Sequence, residues 1–310
     1  MLSASRRRRC PEPARQWYPG GITGFHGRPG DVIPRYAGTR YEWRIGETTD
    51  DTEQTLAVSR ALLRAGRADH TAIGEELLRC RKSLHPGVAL WSFVEAGDAS
   101  RVAVDGDGCG AAMRAAPIGI FYPSSELDEL MAAAYECALP THGGPLGIGA
   151  AAAVAAAVSA AVEGRSQDDV WTVALHASGA LRPYLAGIYS DLSGRPHLDA
   201  DEIAARHFPD SPYTIVPLAI SLALTMQSAH EVTLLAANIG GDADSVASIG
   251  GAIAGALRPE TVNAEWFGVV NRINGGGVED LAIRLAKKAS SNGARAFGAW
   301  TGQEAYPTQL

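Results

Sequence analysis

Two distant stretches of the sequence each place a pair of aspartates beside a hydroxyl side chain at the start of an apolar run. The residues of this repeated pattern are Thr49, Asp50 and Asp51 in the first stretch and Asp242, Asp244 and Ser245 in the second. Neighbouring side chains diverge by about 100° along a regular helix, but at a helix start the backbone has just turned. Side chains at such a start can converge ahead of the helix, so each stretch offers a compact group of oxygen atoms.

Two interpretations of these aspartates compete. Acidic residues stabilise the first turn of a helix by about 0.3–1 kcal/mol each, because free backbone N–H groups and the helix dipole attract negative charge. Capping alone explains one pair, whereas two matching pairs indicate a shared purpose. If the two helix starts face each other, four carboxylates occupy a small volume and cannot all stay ionised without compensating positive charge.

A pair of divalent cations would supply that positive charge. Carboxylates, hydroxyls and water are the ligands that Mg²⁺ and Mn²⁺ prefer, whereas Zn²⁺ favours histidine and cysteine. The pattern therefore predicts a site for two Mg²⁺ or Mn²⁺ ions between two helix starts.

The elements that must position this site are predicted to be helices. Apolar residues at helical spacing predict helices over 50–66, 71–82 and 148–163. Suitable N-cap residues open further helical segments, namely Ser124 or Ser125, Ser166 and Asp199. Alternating strand patterns are scarce, and the best of them, 101–106, is short. We expect an all-α fold with a single domain over 17–305 and a disordered tail over 1–16.

The helix predicted after Asp244 is rich in small residues, which are Ala247, Gly250, Gly251, Ala254 and Gly255. Glycine inside a helix costs about 1 kcal/mol relative to alanine, so repeated glycine suggests that close packing outweighs helix propensity. A core helix of small residues with no role at the site is equally consistent with this feature taken alone.

Composition and charge narrow the classes of partner. The 310 residues carry a net charge of −7, with 46% hydrophobic and 20% charged residues, so we expect a sizeable core and no specific nucleic-acid binding. The basic run 6–9 is interpreted as solvated tail rather than as a nucleic-acid or localisation patch. Four cysteines without a C-x-x-C pair indicate a reduced, cytoplasmic protein. We interpret the alanine-rich stretch 148–162 as a buried helix, and we expect a monomer that does not bind membranes.

Four stretches resemble motifs of the ADP-ribosylglycohydrolase family. "TTDDTEQTLAVSRALL" resembles the family's Thr/Ser-Asp-Asp-Thr helix start, and "NIGGDADSVASIGGAIAGAL" resembles its Gly-Gly-Asp-x-Asp-Ser/Thr motif with the following helix. Between them, "GDGCGAAMRAAPIGIFY" resembles a glycine-rich segment, and "ALPTH" resembles a Thr-His element. The likeness runs from about residue 20 to residue 275 in the family's order.

The resemblance implies a compact orthogonal bundle of helices with a binuclear Mg²⁺ or Mn²⁺ centre in a cleft. It also implies hydrolysis of the bond between ribose C1″ of an ADP-ribosyl group and an acceptor. Carried over by motif, the metal ligands would be Thr49, Asp50, Asp51, Asp242, Asp244 and Ser245. The four aspartates would be the catalytic residues, with Asp242 or Asp244 also able to orient or deprotonate the attacking water.

Further residues beside these motifs are candidates for substrate binding. The loop of Gly106, Asp107, Gly108, Cys109 and Gly110 is expected to offer backbone N–H groups to phosphate oxygens. We expect His142 to line the pocket and Tyr213 to contact the nucleotide, with a structural histidine and a core tyrosine as the alternatives. The substrate would be an ADP-ribosylated protein or a small ADP-ribosyl compound.

The sequence departs from the family's pattern at its beginning. Relatives open with a helix carrying Gly-Asp-Ala-Leu-Gly, often followed by a glutamate, and here "PGDVI" at 29–33 keeps only the Gly-Asp pair. Glu47 is a possible substitute for that glutamate. Two rival functions therefore stay open: hydrolysis of a free nucleoside or a small ADP-ribose derivative, and binding of ADP-ribose without catalysis.

Overall fold

The structure, a computed structural model, describes residues 46–82, 88–195 and 197–291, and within these ranges every regular element is helical. The α-helices are Asp50–Ala65 (α1), His70–Leu77 (α2), Val88–Ala96 (α3), Gly110–Met113 (α4), Ala116–Phe121 (α5), Leu127–Ala138 (α6), Pro145–Val162 (α7), Gln167–Ala177 (α8), Arg182–Ser193 (α9), Ala200–His207 (α10), Pro212–Thr225 (α11), Ala229–Ile239 (α12), Ala243–Leu257 (α13), Ala264–Ile273 (α14) and Val278–Ser291 (α15). The predicted all-α class is confirmed. The predicted tail at 1–16 and the stretch 29–33 lie outside the described residues.

Helix α7 forms the centre of the core. It packs against α4, α5, α6, α8 and α13, and 83% of its residues are buried. Among the described residues it is the one helix whose length and composition would also allow it to cross a membrane. Its alanines carry little volume, so five neighbouring helices approach one another closely around it. The buried helix predicted over this stretch is therefore present.

Two of the predicted helix caps are present. The Ser166 hydroxyl accepts a hydrogen bond from the Asp169 N–H at the start of α8, and the Asp199 carboxylate accepts from the N–H groups of Asp201 and Glu202 at the start of α10. Ser124 is not a cap, because its N–H and hydroxyl both donate to the carboxylate of Glu163. The predicted cap at Ser124 is therefore wrong, because its side chain binds Glu163, which lies far along the chain, instead of the backbone of its own helix.

Helix α2 ends at Leu77, five residues before the predicted boundary. The backbone N–H groups of Arg81 and Lys82 donate to the Glu53 carboxylate on α1 instead of continuing the helix. The best strand candidate, 101–106, is an irregular segment that crosses to another part of the chain, where the Ala103 N–H donates to the Leu139 carbonyl.

Glycines mark the closest helix crossings. A Cβ atom on Gly119 of α5 would lie 2.3 Å from the Ala155 carbonyl oxygen on α7, which is far inside contact distance. A Cβ atom on Gly250 of α13 would lie 2.9 Å from Val232 of α12 and 3.1 Å from the Ala219 carbonyl of α11. The predicted close packing of the small-residue helix is thus present at Gly250, and it lets α13 lie deep among its neighbours.

We expect Gly119→Ala to lower the free energy of unfolding by about 1–3 kcal/mol or more, because the added methyl group meets backbone that cannot move aside. Gly187→Ala is the matched control, since Gly187 is exposed within α9 and nothing lies within 4 Å of its added Cβ. The control should stabilise the protein by about 0.4–1 kcal/mol through helix propensity. Thermal unfolding of the three proteins tests this, and equal unfolding temperatures for both variants would contradict the packing described.

Candidate metal centre

Three buried carboxylates from two helix starts meet in one place. Asp50 and Asp51 open α1, and Asp244 lies in the first turn of α13. Each is at most 8% exposed, and one ligand atom from each can be chosen so that all lie within 4.8 Å of one another. The convergence predicted for the two stretches is therefore present for these three aspartates.

The N-cap side chains at these helix starts do not cap their helices. Thr49 and Asp242 occupy the N-cap positions of α1 and α13, and neither side chain accepts a hydrogen bond from the helix backbone. The Thr49 hydroxyl donates instead to Oδ2 of Asp51 at 3.1 Å, so it is turned toward the cluster.

Asp242 lies beside the three-carboxylate cluster. Its backbone N–H donates to the Pro209 carbonyl at 2.8 Å, which fixes the turn before α13. The residue as a whole is half-buried, but withdrawal of its carboxyl group from water raises its pKa to about 7. The negative charge of Asp244 adds to this increase in the Asp242 pKa. The fourth carboxylate is thus held at the edge of a strongly negative site.

Cys109 and Ser245 complete the inner surface of the cluster. The Cys109 thiol donates to Oδ2 of Asp242 at 3.2 Å, and its sulfur lies 3.8 Å from the Ser245 hydroxyl. Burial, followed by the negative charge of Asp242, raises the pKa of Cys109 well above its usual range. The thiol therefore stays protonated and able to donate. Sequence reasoning assigned Cys109 to substrate and contained no signal for this contact, which joins residues far apart in the chain.

The loop that contains Cys109 is held by structural contacts. Oδ1 of Asp107 accepts hydrogen bonds from the N–H groups of Leu146 and Gly147 at 2.8 and 3.2 Å, so this side chain caps α7. Gly106 adopts a left-handed conformation with φ of +101°, close to the Thr141 carbonyl. The substrate-binding role of Gly106, Asp107, Gly108, Cys109 and Gly110 stays a prediction.

His142 packs against this loop from behind. A Cβ atom on Gly108 or Gly110 would lie 3.0 or 2.7 Å from the imidazole ring, which is closer than ordinary van der Waals contact, so a larger residue at either position would require the ring to shift. Burial, followed by the positive charge of Arg114, lowers the pKa of His142 to about 3, and the ring is neutral at physiological pH. The contacts show a structural part for this histidine, which sequence reasoning had left as an alternative.

A buried arginine links this loop to α1, the helix that begins with Asp50 and Asp51. Arg114 is 1% exposed, and it donates to Oε1 of Gln54 on α1 at 2.8 Å and to the Thr141 hydroxyl at 2.7 Å. It also donates to the Cys137 carbonyl, one of the unsatisfied carbonyls at the end of α6. The Thr141 hydroxyl is 2.7 Å from Nδ1 of His142. Sequence reasoning did not identify Arg114, because its partners lie on two segments far from it in the sequence, namely α1 and residues 137–141.

Glu47 and Tyr213, two further residues singled out in the sequence, lie outside the three-carboxylate cluster. Glu47 precedes α1, and its Oε1 is 3.6 Å from Nζ of Lys82, which also donates to the Thr48 carbonyl. Tyr213 opens α11, and its exposed ring packs at 4.5 Å against that of Tyr184. The predicted substrate contacts of Glu47 and Tyr213 stay predictions.

The donor atoms at the cluster fit a hard divalent cation. Three buried carboxylates supply oxygen atoms, and the Thr49 and Ser245 hydroxyls adjoin them. Such an all-oxygen set is the coordination preferred by Mg²⁺ and Mn²⁺, and burial of like charges at this spacing is stabilised by a bound cation. The arrangement therefore defines a class of protein: an all-α bundle with a buried acidic cluster between two helix starts that could hold a cation.

Comparison with known proteins assigns this class to a family. The family model described as ADP-ribosylglycohydrolase matches residues 4–295, so the chain belongs to the ADP-ribosylglycohydrolase family. An uncharacterised protein of Archaeoglobus fulgidus is 32% identical over 275 residues, covering 85% of this chain and 87% of the relative. An ADP-ribosylarginine hydrolase, Tri1 of Pseudomonas putida, is 28% identical over 71% of this chain and 61% of its own length.

A solved structure supports the fold. The chain titled "ADP-ribosylglycohydrolase-related protein complex" aligns with a TM-score of 0.67 at 23% identity, over 87% of this chain and 89% of that one. The expected ADP-ribosylglycohydrolase-type bundle is therefore confirmed.

We expect the affinity for Mn²⁺ to weaken as the pH falls below about 7, because a proton on Asp242 must leave before its carboxylate can bind a cation. One displaced proton weakens the apparent affinity by up to about tenfold per pH unit. Without metal the sign is opposite: folding raises this pKa from 3.8, so the stabilisation by the protonated form is lost as the pH rises through about 7.

Calorimetric titration of Mn²⁺ at pH 8, 7 and 6 measures this dependence. The Asp242→Asn variant is the control, since it should bind Mn²⁺ more weakly at pH 8 and show a flatter pH profile. Parallel profiles for the two proteins would contradict the assignment of the titrating group.

Proposed function

We propose that this protein hydrolyses the glycosidic bond between the ribose C1″ of an ADP-ribosyl group and its acceptor, using Mg²⁺ or Mn²⁺. Membership of the ADP-ribosylglycohydrolase family supports hydrolysis of ADP-ribosyl substrates. The observation that carries the proposal is the cluster of Asp50, Asp51 and Asp244, which offers ligand atoms within 4.8 Å of one another. This cluster supports metal-dependent hydrolysis because it could hold a cation.

We assign the cation ligands to the two helix starts. Asp50 and Asp51, with the Thr49 hydroxyl beside them, would hold cation from the α1 side, and Asp242, Asp244 and Ser245 would hold it from the α13 side. Four carboxylates offer enough negative charge for two divalent cations, which is the number we propose. When bound, such cations orient ribose hydroxyls and lower the pKa of bound water.

The remaining chemistry falls to Asp242. Its carboxylate lies outside the three-carboxylate cluster but touches it, hydrogen-bonding with Asp244. We assign it to orient the attacking water and accept its proton. In the reaction the C1″–acceptor bond breaks, a C1″–O bond forms from water, and the released acceptor atom takes up a proton.

Arginine is the acceptor that we propose first. The support is the relative from Pseudomonas putida, an ADP-ribosylarginine hydrolase that aligns over 243 residues. Serine-linked and nucleic-acid-linked ADP-ribose and free nucleosides are the competing substrates to be compared.

The test is a panel assay with purified full-length protein and MnCl₂ or MgCl₂. Arginine-, serine- and DNA-linked ADP-ribose and simple nucleosides are incubated separately, and released ADP-ribose or free base is quantified by chromatography. We expect metal-dependent release of ADP-ribose from the arginine conjugate. Asp244→Asn should lower the rate by at least about a hundredfold, because it removes a buried charged ligand.

The matched control is Asp168→Asn, which removes an exposed acidic residue from the first turn of α8. It loses the same helix-dipole interaction and should keep the wild-type rate. Release of free base alone would replace the proposal by nucleoside hydrolysis. Turnover that survives both EDTA and Asp244→Asn would contradict it, as would binding of ADP-ribose without turnover of any conjugate.

A further inference from the structure

Cys109 differs from the other cysteines in the described part of the chain. Cys80 and Cys137 are at most 1% exposed and belong to the hydrophobic core. Cys109 is half-buried, and its sulfur lies against the Oδ2 atom of Asp242 at 3.2 Å and near the Ser245 hydroxyl at 3.8 Å. Cys109 packs against the edge of the core, and its thiol contacts two of the residues assigned to the cation site.

The backbone on both sides of Cys109 is fixed in position. Gly108 and Gly110 pack closely against the imidazole of His142, and a Cβ atom on either would lie 3.0 or 2.7 Å from the ring. The Cys109 carbonyl accepts hydrogen bonds from the N–H groups of Ala112 and Met113, which begins α4. These contacts fix the position of the Cys109 Cβ atom, from which the thiol reaches the Asp242 carboxylate.

A series of contacts connects this loop to α1, the helix that begins with Asp50 and Asp51. Gln54 lies one turn after Asp50 on α1 and accepts a hydrogen bond from Arg114. Arg114 donates to Thr141, which contacts His142, whose ring packs on the two glycines. The position of the Cys109 thiol is therefore tied to α1, while its hydrogen bond reaches the residue that precedes α13.

A carboxylate that accepts one hydrogen bond has a defined orientation. The Cys109 S–H takes one lone pair of Oδ2 of Asp242, and the same carboxyl group also hydrogen-bonds with Asp244. A bound cation would replace the hydrogen bond with Asp244 and leave the one from Cys109 in place. Groups that orient metal ligands commonly contribute a factor of about 10–100 to metal affinity, because the ligand needs no rearrangement on binding.

We propose that Cys109 is a positioning residue that orients the Asp242 carboxylate for cation binding. This inference rests on the proposed function, since it takes the acidic cluster as a cation site. It assigns Cys109 to the metal side of the site rather than to substrate. A serine at this position would keep the O–H donor with similar shape, whereas an alanine would remove the donor and leave the loop intact.

The test compares Mn²⁺ binding by full-length wild type, Cys109→Ala and Cys109→Ser, measured by calorimetry at pH 8, together with thermal unfolding of the metal-free proteins. We expect the Mn²⁺ Kd of Cys109→Ala to be about tenfold weaker than that of wild type. Cys109→Ser should lie within about threefold of wild type. The metal-free unfolding temperatures of both variants should stay within a few degrees of wild type.

Cys80→Ala is the control for loss of a cysteine as such, because the Cys80 thiol contacts the Glu76 carbonyl rather than the residues that support the Cys109 loop. It removes a core side chain, so it should lower the unfolding temperature and leave the Mn²⁺ Kd unchanged. Wild-type affinity in Cys109→Ala would overturn the inference and leave the proposed function standing. Equal weakening in Cys109→Ala and Cys109→Ser would also overturn it, since a donor would not be what matters. Absence of Mn²⁺ binding by wild type would overturn the proposed function itself.

Discussion

The structure depends on bringing like charges together inside a protein. Asp50, Asp51 and Asp244 are buried within a few ångströms of one another, and the carboxyl group of Asp242 adjoins them. Water would stabilise these carboxylates separately far better than protein does, so burial and mutual repulsion both oppose the arrangement. A bound divalent cation reverses the sign of the local interaction, and the same charges then become its ligands. The repulsion among these carboxylates and their affinity for a cation therefore have the same physical origin.

The rest of the fold keeps the two helix starts in register. Thr48, just before α1, is held by Asn274 at the end of α14, whose Oδ1 accepts from both the N–H and the hydroxyl at 3.0 Å. On the other side, Gly250 lets α13 lie close to α11 and α12. Arg114 joins α1, the end of α6 and the loop at Cys109. These contacts lie outside the acidic motifs, yet they determine where the carboxylates point.

Sequence reasoning succeeded where the determinant was local. The starts of α1 and α13 were predicted from residue type and spacing, and the caps at Ser166 and Asp199 from their own following turns. It failed where a distant group competed. Glu53 ends α2 early by binding N–H groups of Arg81 and Lys82, and Glu163 takes the hydroxyl of Ser124. The cap formed by Asp107 and the contact from Cys109 to Asp242 likewise join segments whose proximity only the folded chain defines.

The measurement that tests the central claim most directly is anomalous X-ray diffraction from crystals grown with MnCl₂. The account predicts an anomalous peak between the starts of α1 and α13, at about 2.0–2.3 Å from carboxylate oxygens of Asp50, Asp51 and Asp244. Crystals containing saturating Mn²⁺ that show no peak there, with those carboxylates directed apart into solvent, would contradict it.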